Sequence, residues 1–268
     1  MSETRAVNIN STGYTIRFAL VVCLVCAALV SVSAVLLQPR QMTNALLYME
    51  KNVLVAASLA EPGEALSIAE VEDIFARQIE ARLVDLTTGE LLPAGAQDAR
   101  RFDQRAARND PAESRVAPPN DAGIRRLPKE AVVYFVKTGG AANQVVIPVE
   151  GLGMWGTMYG FMALSPDAKT ILGLTFYEHR ETPGLGGEIS NPDWLSLWRG
   201  RMAYDEAGKA AIAVAKGPAG PPADDPLRVD GLSGATVTSN AVTELVQFWL
   251  DENGYGPFLQ RLRNGDAL

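Results

Sequence analysis

A chain of 268 residues, 47% hydrophobic and 21% charged, has the composition of a folded protein with room for a sizeable core. Its formal net charge of −7 argues against a nucleic-acid partner. Both cysteines, Cys23 and Cys26, fall in one apolar N-terminal run, and His179 is the single histidine. The rest of the chain therefore has no disulfide, thiolate nucleophile, cysteine-held iron–sulfur cluster or c-type haem, and no multi-histidine zinc site can form.

Residues 18–37, FALVVCLVCAALVSVSAVLL, carry no charge. At about 1.5 Å per residue they match a hydrocarbon core of about 30 Å and predict a transmembrane helix behind a short segment, 1–17. Ser31-Val32-Ser33 offers small residues for a signal cleavage, but the run overshoots the usual signal core of about 7–15 residues, so a retained anchor is expected. Arg5 and Arg17 before it are matched by Arg40 and Lys51 after it, and the positive-inside rule leans only slightly toward an inside N-terminus. Cys23 and Cys26, at i and i+3, read as two small apolar residues of that helix.

Residues 38–268 read as one domain. After Pro39, TNALLYMEKNVLVAASLA predicts a helix leaving the membrane. Ser67-x-x-Glu70 has the form of a capping box and opens a run in which Ile68, Val71, Ile74, Phe75 and Ile79 recur at helical spacing. RLVDLTTGELL then predicts a strand ending in a turn at Thr88-Gly89. Residues 96–129, rich in Arg, Asp, Ala and Pro without a sustained apolar period, predict an exposed loop excursion.

Short β-rich runs follow at 131–138, 144–151, 157–165, 171–178 and 208–217. Strands so closely spaced predict an α+β fold, a mostly antiparallel sheet with flanking helices. Val242, Leu245, Val246, Trp249 and Leu250 have the spacing of an amphipathic helix closing at Asn253-Gly254.

Three stretches carry candidate chemistry. GLGMWGTMYGF, 151–161, sets Trp155, Met154, Met158, Tyr159 and Phe161 among glycines, which suits either core packing or a wall for a flat ligand. HRETPGLGGEIS, 179–190, is either a structural turn or a rigid loop whose backbone donors, with His179, Glu181 and Thr182 around them, hold a planar heteroatom-rich ring. DGLSGATVTSNAV, 230–242, places Ser233, Thr236, Thr238 and Ser239 at a helix N-terminus. There a hydroxyl of Thr238 or Ser239 caps the helix, or the free N–H groups receive a phosphate.

Ser233-Gly234-Ala235-Thr236-Val237-Thr238 resembles the Ser-Gly-Ala-Thr-x-Thr flavinylation motif of the FMN-binding domain family. With the E-T-P-G-L-G loop, the G-x-x-x-W-x-x-M-x-G segment, the anchor, the Q-P-R-Q stretch and the total length, the chain resembles the family of C subunits of sodium-translocating NADH:quinone oxidoreductases over nearly its whole span. The resemblance implies FMN joined by a phosphoester to Thr238 by a separate flavin transferase that uses FAD. It places Asp230 as a metal or positioning group during that transfer, and Ser233, Gly234, Ala235 and Thr236 around the phosphate. Glu181, Thr182, Leu185 and Trp155 would line the isoalloxazine ring, with no catalytic residue or resident metal ligand of the chain's own. The family's role is electron relay between other redox centres of a membrane complex that reduces ubiquinone and pumps sodium. That implies other subunits as partners, a single pass through the inner membrane and a periplasmic C-terminal domain.

Three other readings stand beside this one. The flavinylated G subunit of the related ferredoxin:NAD electron-transport complex shares the anchor, the loop and the threonine, but M154-WGTMYGF-161 and the longer chain favour the quinone reductase subunit. A hydrolase would have His179 as its only imidazole and Ser233, Thr236 or Thr238 as nucleophile, and no G-x-S-x-G elbow is present. A non-catalytic anchored scaffold would rest on the acidic surface and 96–129.

Overall fold

The computed structural model describes residues 11–93 and 95–266, so residues 1–10 of the short N-terminal segment lie outside the described residues. Two compact units divide between Leu46 and Leu47. Helix α1, Thr12–Ala56, runs through Pro39, and its residues from Leu47 on belong to the second unit. In the first unit the apolar side chains Phe18, Leu20, Leu24, Leu29, Val30 and Leu36 are exposed, as are the free thiols Cys23 and Cys26. By length and composition this helix can cross a membrane. The Thr43 hydroxyl donates to the Pro39 carbonyl at 3.1 Å.

In the second unit, α2 (Ile68–Gln78) starts at the expected capping box: Ser67 accepts from the Glu70 N–H, and the Glu70 carboxylate accepts from the Ser67 N–H at 2.8 Å. Val71 and Phe75 are its buried face. It leads into β1 (Ile79–Asp85), which turns at Thr88-Gly89, where the Asp85 carboxylate accepts from the N–H groups of Thr87 and Thr88 and Gly89 takes φ 71°. Two short helices, α3 (Ala96–Arg101) and α4 (Gln104–Asn109), and a small hairpin, β2 (Ser114–Val116) with β3 (Arg126–Pro128), come next.

Strands β4 (Glu130–Thr138), β5 (Ala141–Leu152), β6 (Thr157–Leu164) and β7 (Ile171–Glu178) then join β1 in an antiparallel sheet of order β1-β4-β5-β6-β7. This is the α+β architecture expected, and both faces of its sheet are covered. Along β4, Val133 and Phe135 enter one core while Val132, Tyr134 and Val136 enter the other, the period of two that a pleated strand imposes. The end of α1 and α2 close the second core.

A 3₁₀ turn (Gly186–Ser190), α5 (Pro192–Ser196), a two-residue parallel pair β8 (Ala213–Val214) with β9 (Arg228–Val229), α6 (Thr236–Leu250) and α7 (Gly256–Asn264) close the first core. Val242, Leu245, Val246, Trp249 and Leu250 are all buried as their spacing required, each side chain contributing about 1.5–3 kcal/mol relative to exposure. Of the expected strand at 208–217 only Ala213–Val214 forms a ladder, with the two-residue β9, while Ala210 makes an isolated antiparallel bridge to Tyr204.

Residues 96–129 are not an exposed loop. Ala99, Ala107, Ala122, Ile124 and Leu127 are buried, and Arg100, Arg105 and Arg108 reach groups of the sheet and of α1. Arg105 lies 3.4 Å over the Tyr159 ring and bonds Glu178 at 2.7 Å, Arg108 pairs with Glu150, and Arg100 pairs with the buried Glu50 of α1. Gln104 accepts from the Val132 N–H at 3.0 Å, and the Tyr255 hydroxyl donates to the Val132 carbonyl. An apolar period could not announce this docking, because charge pairs and ring contacts carry it. Arg100→Ala, which strands the Glu50 carboxylate, is expected to cost about 3 kcal/mol in a urea titration of the full chain, and Glu50→Gln with Arg100→Met should recover most of that loss.

Candidate functional site

Three segments far apart in sequence meet at one buried hydrogen bond. The hydroxyl of Thr238 in the first turn of α6 donates to Oε2 of Glu181, in the loop after β7. Oε1 of the same carboxylate accepts from the Trp155 N–H at 3.0 Å, in the turn between β5 and β6. Thr238 is 1% exposed and Glu181 4%, so both carboxylate oxygens are satisfied by the protein rather than by water.

Glycines make this approach possible. A methyl on Gly186 would stand 2.5 Å from Thr238 Oγ1 and 2.7 Å from Glu181 Oε2, and one on Gly153 would stand 2.5 Å from Glu181 Oε1. Gly234, at φ 70°, turns the chain into α6, and a methyl there would lie 3.1 Å from Leu185 Cδ2. Gly153 and Gly186 were not singled out by sequence reasoning. Each sits in a glycine-rich stretch whose individual glycines cannot be ranked without knowing which backbone approaches which side chain.

The expected residues fall into three groups. Glu181, Thr238 and the Trp155 backbone come together at the hydrogen bond, and Leu185 and Gly234 pack beside it. The Trp155, Leu185 and Val237 side chains are exposed around it, with Met154 and Leu152 on the 151–155 stretch. That stretch divides into an exposed tip and a buried end, since Met158 and Phe161 are core.

Ser233, Thr236 and the Thr182 side chain face solvent, while the Thr182 carbonyl accepts from the Gly187 N–H at 2.9 Å and braces the loop. Ala235 is buried and is the helix N-cap, so neither Thr238 nor Ser239 caps α6. Ser239 instead accepts from the Leu232 N–H at 3.2 Å. The helix starts at Thr236 because Ala235 already has a non-helical backbone, φ −128° and ψ 48°, and no side chain bonds that end. Asp230 is engaged elsewhere: its carboxylate accepts from the Ala219 N–H and its carbonyl from the Trp194 indole, both at 2.8 Å. No group of acidic, histidine or cysteine side chains among the described residues could hold a metal ion.

His179 supports Glu181 from behind, its Nδ1 accepting from the Glu181 N–H at 3.3 Å while Nε2 lies 3.3 Å from Ser190 Oγ. Burial holds its imidazole below the ordinary value, partly opposed by the Glu181 charge. The unfolded chain therefore binds the proton more readily, and stability falls as pH drops through the window beneath about 6.5. The urea midpoint should fall more between about pH 7.5 and 5.5 in the wild-type chain than in His179→Gln, which lacks this titration.

A buried hydroxyl–carboxylate pair at an uncapped helix start, with exposed apolar side chains on the neighbouring segments, suits a domain that holds a flat anionic ligand. The family model described as "FMN-binding domain" matches residues 153–251, which hold all three segments of the site. The chain is 44% identical to the C subunit of the Na(+)-translocating NADH-quinone reductase of Yersinia pestis, covering 99% of this chain and 98% of that protein. It is 43% identical to the same subunit of Pseudomonas aeruginosa, covering 97% and 99%. The crystal structure of NqrC from Shewanella oneidensis superposes with a TM-score of 0.73 at 34% identity, covering 81% of this chain and 96% of that one. The chain belongs to the family of C subunits of the Na(+)-translocating NADH-quinone reductases.

Proposed function

We propose that this chain is the FMN-bearing subunit of a sodium-translocating NADH:quinone reductase, anchored by α1 and holding its flavin through a phosphoester to Thr238. The observation that carries the reading is the Thr238 hydroxyl in the first turn of a helix with no side-chain cap. A helix N-terminus favours an anionic phosphate through its free N–H groups and its dipole. Ser233, Gly234 and Thr236, on the exposed approach to that turn, flank the phosphate, and Trp155, Leu185 and Val237 offer apolar surface to a flat ring. Glu181 and Thr182 fix the loop beneath it.

Bound FMN supplies the electron-transfer chemistry that side chains lack. The chain's own part is to hold the group, orient it and keep it from diffusing away. A covalent tether matters most where no cytosolic pool can replace a lost flavin, which fits a domain on the periplasmic side of the inner membrane. The flavinylated subunit of the ferredoxin:NAD complex is not favoured, because the match to the quinone reductase relatives runs at 41–44% over nearly their full length.

Chain made together with a flavin transferase should run in denaturing gels as a fluorescent band. A dark band would refute the covalent reading. A reporter fused after Leu268 should be active only when it works outside the cytoplasm, and cytoplasmic activity would reverse the orientation.

A further inference from the structure

We propose that Glu181 takes the hydroxyl proton of Thr238 as the flavin is attached, making this chain supply the base for its own modification. The inference rests on Thr238 being the flavin acceptor. Thr238 Oγ1 donates directly to Glu181 Oε2, the other carboxylate oxygen accepts from the Trp155 N–H, and the Glu181 backbone N–H donates to His179 Nδ1. Both groups are shut away from water. A threonine hydroxyl is a weak nucleophile until a base within hydrogen-bond reach removes its proton, a contribution of about 10²–10⁴ in rate.

The step balances. The Thr238 Oγ1–phosphorus bond forms on the FMN half of FAD, the pyrophosphate P–O bond breaks, AMP leaves with the bonding pair, and the proton passes to Glu181 Oε2. The ester oxygen then has no hydrogen to donate. An ionised Glu181 would face it, and the phosphodiester charge, with one oxygen left without its partner. A proton kept on Glu181 removes both penalties, because the carboxyl can then donate where it formerly accepted. His179 and Arg180 beside Glu181, Glu188 in the 3₁₀ turn and Asp230 ahead of α6 are the other charged or titratable groups on the segments around it; 153–157 and 236–239 carry none.

The test incubates the full chain in detergent with flavin transferase and FAD, and follows the adduct by intact mass from about pH 5 to 9. Glu181→Gln keeps the shape and an acceptor oxygen but takes no proton, so adduct should form about 10²-fold or more slowly. The ratio of wild-type to Glu181→Gln rates cancels the transferase's own titration and should be about 10² or more at neutral pH and above. A ratio near one at every pH overturns the proposal. Glu181→Asp keeps a carboxylate and should recover part of the rate. If it is as slow as Glu181→Gln, Glu181 acts only through packing and the proposal falls. Thr238→Ala separates the two ideas: an adduct retained there means the acceptor was misassigned.

Discussion

Thr238→Ala is expected to yield a chain without flavin after denaturation, its intact mass unchanged by flavin transferase and FAD. Ser233→Ala and Thr236→Ala should keep at least part of the adduct, since both side chains face solvent and neither bonds Glu181. Thr238→Ser retains the Oγ and should be loaded. The unloaded protein carries a second signature of the same contact. Removing the hydroxyl leaves Glu181 Oε2 buried without that donor, which costs about 1–3 kcal/mol, and Thr238→Val, which fills the space, should show a similar loss. A fully loaded Thr238→Ala chain would break the assignment. Unchanged stability in the unloaded variant would instead mean that the hydrogen bond adds nothing to the fold.

The elements were legible in the sequence wherever one local rule decides. Ser67 and Glu70 form a capping box by themselves, Val242 to Leu250 display their own period, and the β-rich run at 131–138 forms most of β4. The site residues were legible as members of motifs but not as a geometry. Glu181 could be placed beside a ring by resemblance, yet its bond to Thr238 joins residues 57 positions apart. The start of α6 stayed open between a hydroxyl cap and a phosphate site because four hydroxyl residues compete at 233–239, and the chain puts Ser239 on Leu232 and leaves the cap to Ala235. The packing of 96–129 was invisible for a related reason. Arg105 on Tyr159 and Arg108 on Glu150 hold their helix by contacts that a hydropathy pattern scores as solvent-facing.

Gly186→Ala should be the most damaging single methyl in the loop. Gly186 is buried and its backbone needs no positive φ, so alanine is refused only by space: its methyl would stand 2.5 Å from Thr238 Oγ1, 2.7 Å from Glu181 Oε2 and 3.2 Å from Glu181 Cβ. Neither side chain can swing clear easily, since Thr238 is short and fixed to α6 while Glu181 is tied to Trp155. Overpacking of this kind costs about 1–3 kcal/mol, and flavin loading should slow by tenfold or more because the hydroxyl is displaced from its acceptor. Gly217→Ala, with nothing within 4 Å, should change neither stability nor loading. The same closeness predicts that the loop gives way under the proposed attachment to Thr238. Thr238 is 1% exposed under Gly186, so the proposed phosphoester is expected to need a lifted 182–187 turn. Gly184, at φ 74° with open space around it, is the position in that turn best suited to absorb the change. Gly184→Ala should therefore slow loading while leaving the Thr238–Glu181 bond in place, whereas Gly186→Ala breaks both. Loading of Gly186→Ala at the wild-type rate with unchanged stability would mean that the turn does not rest on the hydroxyl.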